Sequence, residues 1–227
     1  MNSGLMLSEP LSDLIGVVEN GALTNFYGPP GVGKTNICIL AALEFIRGGG
    51  KVFYVDTEGG LSQERMKQIS GDYSEKFLKE IKIFNPKNYK EQSDVIKDIE
   101  KLKSGMIIVD SVVALYRLEC ADPNKETIEA NKELSIQLSI LSNISREKNS
   151  PVIITSHIYK DWDSGEARII GGDTIRYWSK AIILLEPTGR NSERKATLVK
   201  HRSLPEGKSV KFEITNDGIK PSKFKIF

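Results

Sequence analysis

Four residues with fixed spacing suggest the first chemistry. Gly28, Gly33, Lys34 and Thr35, in "GPPGVGKT", fit the pattern G-x-x-x-x-G-K-[ST]. Glycines let a loop wrap closely, so that its N–H groups converge on phosphate oxygens. A helix opening at the end of that loop points its positive end at the same charge. Lys34 can reach the β- and γ-phosphates of a nucleoside triphosphate, and the Thr35 hydroxyl can ligate Mg²⁺. The candidate ATP-binding segment is Gly28, Pro29, Pro30, Gly31, Val32, Gly33, Lys34, Thr35 and Asn36. The competing reading is a glycine turn that binds nothing.

A phosphate cradle only binds, whereas hydrolysis also needs metal support and a polarised water. Asp110 ends the apolar run "MIIVD", which would place its carboxylate at the C-terminal edge of a sheet, where ligands bind in open α/β folds. There it can hold Mg²⁺ together with Thr35, or it can simply cap the next segment. Glu58, in "VDTEGG", can emerge at the same edge and polarise the attacking water; a plain loop carboxylate is the alternative. His157, in "TSH", would face the same cleft and contact the γ-phosphate or the water, or else bond locally.

The elements that must position these groups alternate. Strands are expected at 22–27, 51–56, 81–85, 106–110 and 151–155, with a helix over 34–47 closed by three glycines. A short helix is expected at "LSQERMKQIS". Another, in "YKEQSDVIKDIEKLK", carries Val95, Ile99 and Leu102 as its apolar stripe. Asp122-Pro123 is expected to open a long helix buried through Leu134, Leu138 and Leu141. Strand-like "KAIILLEP", "KATLVK", "VKFEIT" and "GIK" then follow, with Asp-Gly in "TNDGI" as a hairpin signal. The expected fold is α/β: a mostly parallel twisted sheet flanked by helices, with a C-terminal antiparallel β extension.

With 227 residues, one large domain spanning 1–227 is expected. The net charge of +2 is too small to dictate a partner, but from Arg190 to Phe227 ten Lys/Arg stand against four Asp/Glu. That local excess is either a solvated surface or an anion-binding face. Cys38 and Cys120 fall in no metal-binding pattern, and Cys38 lies in the apolar run "NICILAAL". A reducing, cytoplasmic location follows as an expectation. The N-terminus lacks a signal-peptide pattern. No run of about 18 apolar residues exists, so no membrane span is expected.

Five segments in order carry a resemblance: "GALTNFYGPPGVGKTNICILAA", "VFYVDTEGGLSQERMKQI", "MIIVDSVVALYRLE", "IIGGDTIRYWSKAIILL" and "LPEGKSVKFEITNDGI". Together they resemble the RecA/RadA recombinase core, and most closely its archaeal RadB branch, from about Leu11 to Ile219. The resemblance implies a RecA-like P-loop ATPase core with a Mg·ATP site at Gly28–Thr35. It makes Asp110 the Walker B aspartate and Glu58 the catalytic glutamate. The family's sensor glutamine corresponds to His157, a departure that bears on the rate of hydrolysis, so a weak, DNA-associated ATPase is expected. "MNSGLMLSEPLSDLIG" contains no phenylalanine for the family's aromatic hook. The N-terminal helical DNA-binding domain of recombinases is expected to be absent, and efficient strand exchange with it.

Two segments would correspond to the family's DNA-facing loops. One follows Tyr116-Arg117, which makes Arg117 a candidate. The other, "IYKDWDSGEARIIGG", holds Tyr159, Lys160, Trp162 and Arg168. Cations beside aromatics suit single strands. Asp161, Asp163 and Glu166 offset them, and a rim loop without DNA is the competing reading. Lys200 and Arg202, two apart at a strand end, are expected to project together. Related ATPases set such a K-x-R pair against a neighbour's γ-phosphate, which needs a homo-oligomer. The implied partners are single-stranded or branched DNA and recombination proteins, either the main recombinase or a Holliday-junction resolvase. The rival expectations are an oligomeric KaiC-type signalling ATPase and a nucleotide-gated adapter, both without a DNA role.

Overall fold

The structure, a computed structural model, describes residues 4–123, 126–160 and 167–222. The chain opens with β1 (Gly4–Met6), α1 (Leu11–Ile15) and β2 (Val17–Glu19), with β1 and β2 paired antiparallel. The alternating part follows: β3 (Leu23–Tyr27), α2 (Lys34–Arg47), β4 (Val52–Asp56), α3 (Gln63–Ser70), α4 (Ser74–Glu80) and β5 (Ile81–Phe84). It continues through α5 (Tyr89–Glu100), β6 (Met106–Asp110), α6 (Ala114–Ala121), α7 (Thr127–Glu147) and β7 (Val152–Ser156). A small pair, β8 (Ile158–Lys160) and β9 (Ala167–Ile169), leads to α8 (Gly172–Trp178). The meander β10 (Ser179–Pro187), β11 (Glu193–His201), β12 (Ser209–Thr215) and β13 (Gly218–Pro221) completes the described chain.

Among the described residues, nine strands form one sheet in the order β13-β12-β11-β10-β3-β7-β6-β4-β5. Strands β3 to β7 and β10 run parallel, and β11, β12 and β13 are antiparallel. Every residue of β3, β4, β6 and β7 is buried. That is why β4, β6 and most of β7 read as apolar runs: helices cover both faces. One core lies around α2, with Ile37, Ile39, Leu43 and Ile46 fully buried. Each such side chain contributes about 1.5–3 kcal/mol. The other core lies between the sheet and α5, α7 and α8. Burial pushes the Cys38 thiol well up, so it behaves as a small hydrophobe.

Three expectations about elements are corrected. The long helix starts at Thr127, because α6 occupies Ala114–Ala121 and Asp122 caps it in an extended conformation (φ −75°, ψ 115°). Extended backbone is what a residue before proline prefers. In α5 the buried stripe is Gln92, Ile96 and Ile99, while Val95 and Leu102 are only partly buried. A polar residue takes the core position because the Gln92 amide donates to Val112 O (3.0 Å) and to Gln137 Oε1 (2.8 Å). Within the expected second DNA-facing loop, Ile158–Lys160 and Ala167–Ile169 form a strand pair and helix α8 begins at Gly172.

A candidate nucleotide and magnesium site

The parallel strands all present their C-terminal ends at one edge, where the candidate groups meet. The loop after β3 carries the cradle. Gly28 has φ 156°, and a Cβ there would lie 2.2 Å from Leu185 O on the neighbouring β10. Only glycine lets the loop pass so close to that strand. Gly33 has φ 96° and caps the N-terminus of α2, so the helix dipole points into the cavity. The cavity, about 350 Å³, is lined by Pro30, Gly31, Gly33, Lys34, Thr35, Asn36, Glu58, Gly60, Arg65, Asp110, His157 and Ile214.

Lys34 is buried, and its ammonium donates to Gly28 O (2.9 Å) and Pro29 O (3.0 Å). An ammonium has three donors, so one is left over. Burial pulls the Lys34 pKa down, while the Glu58 and Asp110 carboxylates oppose that shift. Thr35 Oγ1 donates to Asp110 Oδ2 at 2.7 Å. Its proton is committed, and its lone pairs stay available to a metal. Asp110 also accepts from Tyr54 OH (2.8 Å, Oδ2) and Thr155 Oγ1 (2.6 Å, Oδ1). A buried carboxylate held by three neutral hydroxyls, beside a hydroxyl with free lone pairs, suits a hard divalent cation such as Mg²⁺. The donor set therefore fits the metal.

Glu58 follows β4 and is set in place by Asp56, whose Oδ1 accepts from Glu58 N (3.3 Å) and Gly60 N (3.2 Å). Asp56 Oδ2 accepts from Leu61 N (3.1 Å). The Glu58 carboxylate, 39% exposed, meets His157 Nε2 from the end of β7. That hydrogen bond holds the Glu58 carboxyl below the usual glutamate range. Glu58, His157, Lys34, Thr35 and Asp110 thus share one cavity, as their spacing suggests.

Arg65 is a site residue that sequence reasoning missed. From α3 it donates to Asn36 Oδ1 (2.8 Å), Asn216 O (2.7 Å) and Thr215 O (2.8 Å). It ties α2 and α3 to the β12–β13 turn. Next to that turn, the Ile214 side chain lies against Gly33, 2.9 Å from where a Cβ would be. The C-terminal hairpin therefore forms one wall of the cavity.

The remaining candidates scatter. Arg117 lies within α6, which runs on to Ala121, so no loop begins at Tyr116-Arg117. Arg117 and Tyr159 nonetheless line a common cleft of about 670 Å³ with Gly171 and Gly172. Tyr159 and Arg168 are cross-strand partners in β8 and β9, and Lys160 ends β8. Trp162 lies outside the described residues. Strand β11 ends at His201, so strand alternation does not extend to Arg202. Lys200 Nζ donates to Arg176 O on α8, whereas Arg202 Nε pairs with Glu19 Oε2 on β2 at 2.6 Å. The two cations therefore have separate partners.

A phosphate cradle feeding a helix, with carboxylates at the ends of adjacent parallel strands, defines a P-loop nucleotide-binding protein of the RecA-like class. Comparison with known proteins narrows this. The Rad51 family model matches residues 8–222, and the chain belongs to the Rad51 family. It is 46% identical over 215 residues to the DNA repair and recombination protein RadB of Methanococcus maripaludis strain C7, covering 94% of this chain and 97% of that one. The RadB of Methanocaldococcus jannaschii is 41% identical over 209 residues, 91% of this chain and 96% of its own. A crystal structure of the RadB recombinase superposes with a TM-score of 0.82 at 33% identity, covering 96% of this chain and all of that one. Among the described residues, no helix is long and apolar enough to cross a membrane.

Proposed function

We propose that the chain is a DNA-binding, weakly ATP-hydrolysing recombinase paralogue acting in DNA repair and homologous recombination. It would assist the main recombinase or branched-DNA cleavage and would not itself exchange strands efficiently. The observation that carries this reading is the meeting of Lys34, Thr35, Asp110 and Glu58 in one cavity, in a chain whose RadB relatives are DNA repair and recombination proteins. Thr35 and Asp110 would hold Mg²⁺, which supplies charge neutralisation at the β- and γ-phosphates when bound. Lys34 exchanges its carbonyl partners for phosphate oxygens. Glu58 orients the attacking water and accepts its proton. For that, Glu58 must first part from His157, which weakens it as a base. This contact supports a slow hydrolysis rate, and it favours a second reading, a nucleotide-gated adapter.

Arg117, Tyr159 and Arg168 are the candidate DNA contacts that the described chain gathers near one cleft. Lys200 and Arg202 remain candidates for a neighbour's γ-phosphate in a homo-oligomer. The test is a titration with single-stranded DNA without nucleotide, with ADP and with ATP, repeated with Lys34→Ala. ATP should change DNA affinity in the unaltered protein but not in the variant. No DNA binding in any state at low salt would remove the DNA role.

A further inference from the structure

We infer that Tyr54 is a positioning residue for magnesium: its hydroxyl, with that of Thr155, fixes the Asp110 carboxylate so that one oxygen lone pair is left for the metal site. The inference rests on reading the cavity as a Mg·nucleotide site.

The geometry is specific. Tyr54 is fully buried in β4, with its ring in the α2 core and its hydroxyl 2.8 Å from Asp110 Oδ2. Thr155, fully buried in β7, reaches Oδ1 at 2.6 Å, and Thr35 reaches Oδ2 at 2.7 Å. The three donors come from three elements, β4, β7 and α2, so the carboxylate cannot rotate without breaking one of them. An ionised carboxylate has about four lone-pair sites, and three are occupied. Asp110 lines the cavity, and the one lone-pair site left over, on Oδ1, remains for a ligand. The ionised Asp110 carboxylate can only accept, so in this contact the Tyr54 hydroxyl is the donor. Without the Tyr54 donor, Oδ2 would keep only Thr35, and Thr35 is itself a metal ligand. The carboxylate would then be oriented partly by the ion it is meant to place. Partners that orient metal-binding groups typically matter by about 10–100-fold in metal affinity.

A purely structural role, a buried phenol that merely satisfies its hydroxyl, predicts no link to the metal. The experiment titrates a fluorescent ATP analogue in EDTA and across a series of Mg²⁺ concentrations. Tyr54→Phe keeps the ring and removes one donor. It should leave affinity in EDTA within about twofold and raise the Mg²⁺ midpoint about tenfold. Thr155→Val should act in the same direction through Oδ1, and Thr155→Ser should restore the unaltered midpoint. Midpoints for Tyr54→Phe and Thr155→Val that superimpose on the unaltered protein would overturn the inference. So would a loss of the same size in EDTA, which would mean general distortion of the site. If the unaltered protein binds nucleotide with no Mg²⁺ dependence, the reading of the cavity fails, and the inference fails with it.

Discussion

Replacing Glu58 by glutamine separates binding from chemistry. The side chain is 39% exposed and touches His157, not the cradle, so an amide of the same shape should fit without rearrangement. The variant removes a negative charge from a cavity that would hold a triphosphate, so nucleotide affinity should stay the same or rise slightly. Turnover should fall. A positioned general base contributes about 10²–10⁴-fold, equivalent to about 2.7–5.4 kcal/mol of barrier at about 1.36 kcal/mol per decade. Because His157 depresses the basicity of Glu58 in the free protein, the lower end, about 10²-fold, is expected. Single-turnover hydrolysis at saturating Mg·ATP, set beside nucleotide binding by fluorescence, measures both quantities. Unchanged turnover with intact binding would refute a catalytic Glu58 and favour the adapter. A loss of turnover matched by an equal loss of affinity would show that the carboxylate serves the cradle instead.

Arg65→Ala removes three hydrogen bonds that join α2 and α3 to the β12–β13 turn. It should cost about 1–3 kcal/mol and speed amide exchange at 214–218, with no change at β3. Arg202→Ala removes the 2.6 Å pair to Glu19, whose side chain is 7% exposed. A loss of about 1–2 kcal/mol in urea unfolding is expected, and an unmoved midpoint would show the pair to be idle. Because the Glu58 carboxyl is held below its ordinary value of 4.5, the folded chain takes up that proton less readily than the unfolded one. The associated stability is fully present above about pH 4.5 and is lost as the pH falls through the depressed value. Acid unfolding of Glu58→Gln should therefore be shallower below pH 4.5, and parallel curves would remove the contact from the balance.

The cradle was legible because its chemistry is local: six adjacent residues, Gly28 to Gly33, feed the helix that opens at Lys34. Asp110 was legible because a buried apolar strand that ends in a carboxylate sets that group at the C-terminal edge of the sheet. Glu58 was legible from its place two residues past Asp56, the end of the second strand. Arg65 was hidden, since its partners Thr215 and Asn216 lie 150 and 151 residues away and nothing in "SQERMKQ" points to them. Tyr54 was hidden for another reason. In a strand buried on both faces, a phenol reads as one more large apolar residue, and only the fold shows where its hydroxyl ends. Gln92 misled the α5 stripe because hydropathy cannot show that a glutamine has a buried partner. The short helices α6 and α8 escaped because they open at Val113 and Gly171 without a side-chain cap, whereas α3, as short as α6, opens at the capping Ser62.

The wall that Ile214 and the β12–β13 turn build against Gly33 also matters during synthesis of the chain. The loop emerges from the ribosome early, but its last wall is made some 180 residues later. Until β12 pairs with β11, Gly33 faces solvent and Arg65 lacks its turn. A nascent chain would therefore carry an open, weak phosphate loop for most of its translation. Firm nucleotide capture would then mark completion of the meander, and nucleotide affinity would report that the far end of the sheet has been added.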